Sequence, residues 1–339
     1  MKFSFFIFVF LLLGFNNLYA QDINAQMFKQ AEEKTSIGEF NKSNEILLSL
    51  LSKDYMPDLV CYYLSMNYFN LKDYQKAIKY ASKTINNETY GEKAALIKGK
   101  SLEFLGKYYE QNKFYSEMTQ KFPNNYVFYN LKAEILLKQK KTSEAEKMLQ
   151  NSVLKNKFGS QAHFVLGEIN KDKENLTESL LCYYYFLMCE TNTVRTKEII
   201  CKIAKILNTK DIDRIISEKS FNEISMSKQQ KDMTSTILIL SDMQTFSQED
   251  SLPQMKTFVE NSKTFFSSIT NIIEKPYEGF YENFYVDFFS KLLKNNMSDS
   301  FLYYSLINVY PNINQTIKAM TKEKMLKFAN FLEETKEND

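Results

Sequence analysis

One histidine, His163, and four cysteines, Cys61, Cys182, Cys189 and Cys201, are the residues of this 339-residue chain best suited to acid-base, nucleophilic or metal chemistry. A lone imidazole leaves a His-based acid-base pair, a Ser-His relay and a multi-His metal site short of a second member. Cys182 and Cys189 stand seven positions apart, about 10 Å along a helix, which is too far for a disulfide. Cys201 is within reach of one of them from the next helix, but the expected reading is that all four thiols are small buried apolar groups. The pairs Glu32-Glu33 and Glu333-Glu334 are neighbours that point about 100° apart on a helix, as solvated faces do, not as paired acids do. Eight glycines, with neither GxGxxG nor GxxxxGK[ST], give little backbone to cradle a phosphate. Catalytic, metal and cofactor residues are therefore not expected, and the chain reads as a non-enzyme.

The elements that hold these residues announce themselves by spacing. Ala31, Ser65, Gly99, Ala133 and Gly167 recur every 34 positions, and Ser43, Ala77, Gln111, Ala145 and Ser179 keep the same register. Gly, Ala, Ser and Cys make up 53 of the 339 residues. Five small residues in five places is thus a roughly one in ten thousand event per phase, and chance is set aside. Two small columns at one period imply paired helices whose backbones approach closely at the same place in each unit. Between Asp58 and Gly91, Cys61, Leu64, Ser65 and Tyr68 mark one helix. A Leu71-Lys72-Asp73-Tyr74 turn follows, and Ala77, Ile78, Ala81 and Ile85 mark a second. The basic run Lys138-Gln139-Lys140-Lys141 falls in such a turn, where charge is ordinary. His163 lies in a column that faces a neighbouring helix and is expected to be a packing residue.

This pattern resembles the tetratricopeptide repeat (TPR). Leu166-Gly167 matches its Leu-Gly pair, Tyr68 its tyrosine, Ala77 and Ala145 its second-helix alanine, and Pro123-Asn124-Asn125 its closing turn. Phe40, Tyr74 and Tyr108 open the second helices after Gly38-Glu39, Lys72-Asp73 and Gly106-Lys107. The resemblance implies an all-α fold, a right-handed TPR-like helical solenoid of about five to six helix-turn-helix repeats followed by a further helical C-terminal region. Units are expected at about 24–57, 58–91, 92–125, 126–159 and 160–193, with a degenerate capping repeat over 194–219 and a helical region over 220–339. In that region Ser251-Leu252-Pro253 reads as a helix start, Pro276 and Pro311 as breaks, and Thr321 with Lys324 to Leu332 as a last amphipathic helix. The sequence departs from the family pattern in having no Trp, and in placing Lys98 and Lys132 where Leu is expected, so looser or partly rearranged packing is expected in the third and fourth units.

The N-terminus carries Lys2, an apolar run from Phe3 to Phe15, and Ala20 before Gln21. This reads as a signal peptide over 1–20, with a mature chain from about Gln21. Thirteen apolar residues fall short of the roughly 20 that span a bilayer, so no integral membrane segment is expected after cleavage. Export to the periplasm, the cell surface or the medium follows, within a bacterial envelope if the source is Gram-negative. Forty-three basic against 41 acidic residues supply no field for nucleic acid or anionic lipid.

In a TPR array the first helix of each unit lines the concave face. The resemblance places Phe28, Tyr62, Leu96, Asn130 and Phe164 in one groove column, with Glu32, Met66, Lys100, Glu134 and Glu168 one turn on. TPR proteins that clamp a terminal carboxylate use Lys and Asn in these columns; Phe28, Glu32, Tyr62 and Met66 stand there instead. The candidate site is therefore an apolar groove, Phe28, Tyr62, Met66, Leu96 and Phe164, for a protein or peptide segment with aliphatic or aromatic anchors. Either that groove is free or the aromatic region 220–339 fills it. The function expected is an exported, non-enzymatic interaction scaffold, with envelope assembly as one setting. The alternative is a nutrient- or glycan-handling accessory protein with an aromatic ligand surface, against which the absence of Trp counts.

Overall fold

The structure, a computed structural model, describes residues 23–191, 193–207, 252–272, 279–306 and 322–337. The predicted signal segment, residues 208–219 of the capping repeat, Pro276 and Pro311 lie outside the described residues. The fold is all-α and TPR-like, a succession of helix-turn-helix pairs. They are α1 (23–36) with α2 (Phe40–Ser52), α3 (Pro57–Asn70) with α4 (Tyr74–Thr84), and α5 (Gly91–Phe104) with α6 (Tyr108–Lys121). Next come α7 (Tyr126–Lys138) with α8 (Thr142–Lys155), and α9 (Ser160–Asp172) with α10 (Leu176–Cys189). Then follow α11 (Val194–Leu207), α12 (Leu252–Ile272), a π-helical turn (Glu282–Val286) running into α13 (Asp287–Lys294), α14 (Ser298–Leu306) and α15 (Lys322–Glu337). The chain divides into two compact units at the Ile135/Leu136 junction.

Each pair is closed by the same turn. Gly38, Lys72, Gly106, Lys140 and Glu174, again 34 apart, all hold φ between +59° and +80°. The N–H of the next residue, from Glu39, Asp73, Lys107, Lys141 and Asn175, bonds a carbonyl five residues back at 2.8–2.9 Å, which is the 6→1 bond of a Schellman motif. Glycine takes this conformation freely; Lys72, Lys140 and Glu174 take it at a cost of about 1 kcal/mol each, which the packed helices on either side impose.

The small columns meet inside three of the pairs. Ser43 Oγ donates to the Ala31 carbonyl at 2.9 Å, Gln111 Nε2 to that of Gly99 at 3.3 Å, and Ser179 Oγ to that of Gly167 at 2.9 Å. Sixteen positions after each first-column residue stands a second partner, in order Leu47, Ala81, Tyr115, Leu149 and Tyr183. Tyrosine occurs there only where the first column holds glycine. A Cβ on Gly99 would lie 2.2 Å from Tyr115 Oη, and one on Gly167 2.4 Å from Tyr183 Cε1. Missing side chain and added ring thus compensate within one helix pair.

In the first unit, two apolar clusters form around Leu47, Val60 and Leu64 and around Ala95, Tyr115 and Phe128. A buried polar set knits α1 to α3: Asn67 Nδ2 donates to Ser43 Oγ and to Asn44 Oδ1, both at 3.0 Å, and Thr35 donates to Asn67 Oδ1 at 3.1 Å. The lysine of the fourth repeat, Lys132, is held by hydrogen bonds. Its ammonium donates to the Asn112 carbonyl at 3.1 Å, to the Asn112 side chain and to Ser116 Oγ at 2.7 Å.

The second unit is organised by α10, whose residues from Thr177 to Met188 are all buried. A helix with no solvent face must be covered on every side. Beside α9, the aromatic C-terminal helices supply the cover. Tyr184 packs on Phe265 and Phe266 and meets Phe289 and Phe301 edge-on, and its hydroxyl donates to Ser262 Oγ at 2.6 Å. Tyr185 packs on Phe284, Tyr285 and Phe288. Tyr281 donates to Glu146 of α8 at 2.6 Å and accepts from Asn170 of α9 at 2.7 Å. The last helix sets Phe328 against Phe301 and Tyr304, and Phe331 against Phe288. Cys61 and Cys182 are buried and all four thiols are free, but Cys201 is exposed, which corrects its expected burial. The apolar side of α11 carries Ile199, Ile200, Ile203 and Ala204, and Cys201 lies off that side.

His163 is a core residue here. It is fully buried, with Nδ1 2.7 Å from Tyr285 Oη and Nε2 2.6 Å from the Lys157 carbonyl, so Nε2 carries the proton and Nδ1 accepts. Burial pulls its pKa down to about 4.

Two measurements follow. Gly99→Ala is expected to destabilise by about 1–3 kcal/mol through overpacking, and Tyr115→Leu through a cavity. The double variant recreates the Ala31/Leu47 pairing, so chemical denaturation should find it more stable than the sum of the single changes by at least about 0.5 kcal/mol. Strict additivity would contradict the compensation. As for His163, an unfolded imidazole titrates near pH 6.5, so between there and about pH 4 the unfolded chain binds a proton that the folded chain refuses. Stability is full above about pH 6.5 and falls on acidification by roughly 2–3 kcal/mol, a slope that His163→Gln should flatten in urea titrations at about pH 7 and 4.5.

Candidate functional site

The first-unit groove residues arise from α1, α3 and α5, which present Phe28, Tyr62 and Leu96 at equivalent positions. Phe28 is only 9% exposed and packs edge-on against Tyr63 at 5.3 Å, so it belongs to the apolar cluster beneath the surface. Tyr62 is half-buried, stacked on Tyr90 at 5.5 Å and edge-on to Tyr63 at 5.7 Å. Tyr63 donates to Glu32 Oε1 at 2.6 Å, which orients both the ring and the carboxylate. Burial, followed by the Glu32 hydrogen bond and charge, holds the Tyr63 phenol above its ordinary range, so it stays a neutral donor. Met66 and Leu96 are half-buried, and Lys100 pairs with Glu103 at 3.0 Å. The face is thus a tyrosine patch, Tyr62, Tyr63 and Tyr90, with an acidic edge at Glu32 and aliphatic shoulders at Met66 and Leu96.

In the second unit Phe164 has a different setting. It is half-buried beside Phe186 at 5.7 Å and lies under two cations of α11, the Arg195 guanidinium at 5.4 Å and the Lys202 ammonium at 5.6 Å. Glu168, one turn on, accepts from Lys202 at 2.7 Å, from Lys171 at 3.3 Å and from Tyr183. Among the described residues, the ring and cation contacts of Phe164 come from α10 and α11, while the C-terminal aromatic cluster covers Tyr184 and Tyr185. Of the five predicted residues, Tyr62, Met66 and Leu96 remain partly open, Phe28 is sealed, and Phe164 is capped by cations.

Sequence reasoning passed over Tyr63 and Tyr90, and also a ladder of rings at the helix-turn edge of the first unit. There Tyr74 stacks on Phe104 at 4.9 Å and 8°, Phe69 packs against both, and Phe104 and Tyr108 are 61% and 58% exposed. The signal was present in Phe40, Tyr74 and Tyr108, which share one register of the repeat. Among the described residues no group of three or more His, Cys, Asp or Glu is placed to hold a metal ion. No helix among them is long and apolar enough to cross a membrane.

No family model matches this chain, and no curated protein does. Solved structures that resemble it include a MamA RS-1 ArsTM double mutant, with a TM-score of 0.41, 16% identity, and coverage of 48% of this chain and 92% of that one. MamA 41-end from Desulfovibrio magneticus RS-1 gives 0.41 and 16% over 49% of this chain and 94% of its own. MamA AMB-1 gives 0.38 and 12% over 48% and 89%. These likenesses reach about half of the chain.

Proposed function

We propose that this chain is an exported, non-enzymatic interaction scaffold that recruits a protein or peptide segment through the aromatic face of its first helices. The observation that supports this reading most is the Tyr62, Tyr63 and Tyr90 patch. Its rings hold one another edge-on and stacked, Glu32 fixes one hydroxyl, and Met66 and Leu96 offer aliphatic contacts alongside. Pre-ordered tyrosines lose little conformational freedom on binding and combine apolar area with a polar tip, which suits peptide recognition. Export rests on the N-terminal charged and apolar segments, and envelope assembly is the setting such a scaffold would serve. The Tyr74 and Phe104 stack, with Phe104 exposed and Tyr74 half-buried, is the one observation that favours the second reading, an accessory protein that handles a nutrient or glycan on an aromatic surface.

A photo-crosslinking amino acid placed at Tyr62, and separately at Lys79 on α4, tests the first reading in cells. The expected result is a discrete adduct with one polypeptide from position 62, lost when Met66→Glu is added, and none from position 79. Identical adducts from both positions, or none from 62, would contradict it. N-terminal sequencing of the envelope fraction should begin near Gln21.

A further inference from the structure

Two lysines occupy the same register of the repeat with different surroundings. Lys132 on α7 reaches α6, where Asn112 and Ser116 take up its ammonium. Lys98 on α5 stands 34 residues earlier, and the equivalent positions on α4 are Ile78 and Ser82, the first of them apolar. The Lys98 ammonium lies instead over the Phe114 ring, 4.8 Å from its centroid, and among the described residues it has no hydrogen-bond or ion-pair partner. Burial lowers its pKa against the opposing pull of Glu117 and Glu110. The equivalent residues Leu64 and Leu166 are fully buried apolar groups, so the lysine is not what packing asks for at this place.

Lys98 stands at the edge of a cleft of about 410 Å³ between α4 and α6, walled by Ile78, Leu102, Tyr109 and Phe114. Lys98 is two residues on from Leu96, about 200° round α5, so this cleft and the Tyr62 face lie on opposite sides of that helix. A cation without a partner beside aromatic and aliphatic walls, in a cleft of the size that small-molecule sites usually have, is arranged for an anion that carries an apolar body. The rim sets the charge. Lys98, Lys107 and Lys113 line the cleft against Glu110 and Glu117, and Lys107 is paired with Glu110 at 3.1 Å, so one negative charge balances the lining.

We propose that this cleft binds a small monocarboxylate with an aromatic or branched apolar body, its carboxylate on the Lys98 ammonium and its body between Tyr109, Phe114, Ile78 and Leu102. The same chemistry has two sources, a free acid and the C-terminal residue of a peptide.

Calorimetric titration of the full-length protein compares 3-phenylpropionate, its neutral amide, and an N-acetylated tripeptide ending in phenylalanine with a free carboxyl. The acid is expected to bind at least tenfold more tightly than the amide. Tighter binding of the peptide than of the acid supports the site and assigns it to a chain terminus; weaker binding supports it and assigns it to a free acid. Lys98→Leu, which restores the residue type of Leu64 and Leu166, should raise the melting temperature while lowering affinity for the acid at least tenfold, so that loss of binding is separated from loss of fold. Ile78→Asn, which gives α4 the residue that α6 offers Lys132, should occupy the ammonium and also weaken binding. Equal affinity for acid and amide, no saturable binding of either, or wild-type affinity in Lys98→Leu would overturn the proposal.

Discussion

The rest of the structure depends on one contact, the close approach of the two helices of a pair across a residue with almost no side chain. In the fifth unit it is Gly167 against Tyr183, with Ser179 Oγ bonded to the Gly167 carbonyl. The glycine lets α10 lie near enough to α9 to bury Tyr183, and α10 then carries Tyr184 and Tyr185 on its other sides. Those two rings need cover that no repeat provides, and α12, α13 and α14 supply it with phenylalanines. Dispersion and hydrophobic burial over so many rings favour this docking, while the hydroxyls of Tyr184, Tyr281 and Tyr285 each find a hydrogen-bond partner.

Much of this could be read before any coordinates. The two small columns, the polar turns and the aromatic residues opening α2, α4 and α6 all carry the 34-residue period, because each reports a backbone constraint that recurs in every unit. The same logic would have found the left-handed column Gly38, Lys72, Gly106, Lys140 and Glu174, but three of its five members are not glycine, and their side chains disguise it. The docking of the C-terminal helices was not legible, since aromatic residues in those helices satisfy any apolar neighbour and carry no register to say which. Cys201 stands 34 positions after Gly167 and yet lies exposed.

The predicted groove divides for a related reason. A column position fixes where a side chain leaves its helix, not how far its neighbours rise around it. Phe28 is sealed by Tyr63, and Phe164 is roofed by Arg195 and Lys202 of α11. Tyr62, supported by Tyr63 and Tyr90, stays partly open. The Lys98 and Lys132 comparison makes the same point for charge: one register and one residue type end in different roles because α6 offers an asparagine where α4 offers an isoleucine.

The central claim is that α10 and the C-terminal aromatic helices form one cooperative body seated on the Gly167 contact. Native-state hydrogen exchange read by mass spectrometry tests it directly. The account predicts that amides of α10 and of residues 258–269, 280–292 and 298–306 exchange through a single opening with a common free energy, the slowest in the second unit. Free exchange of the three C-terminal segments while α10 stays protected would contradict it.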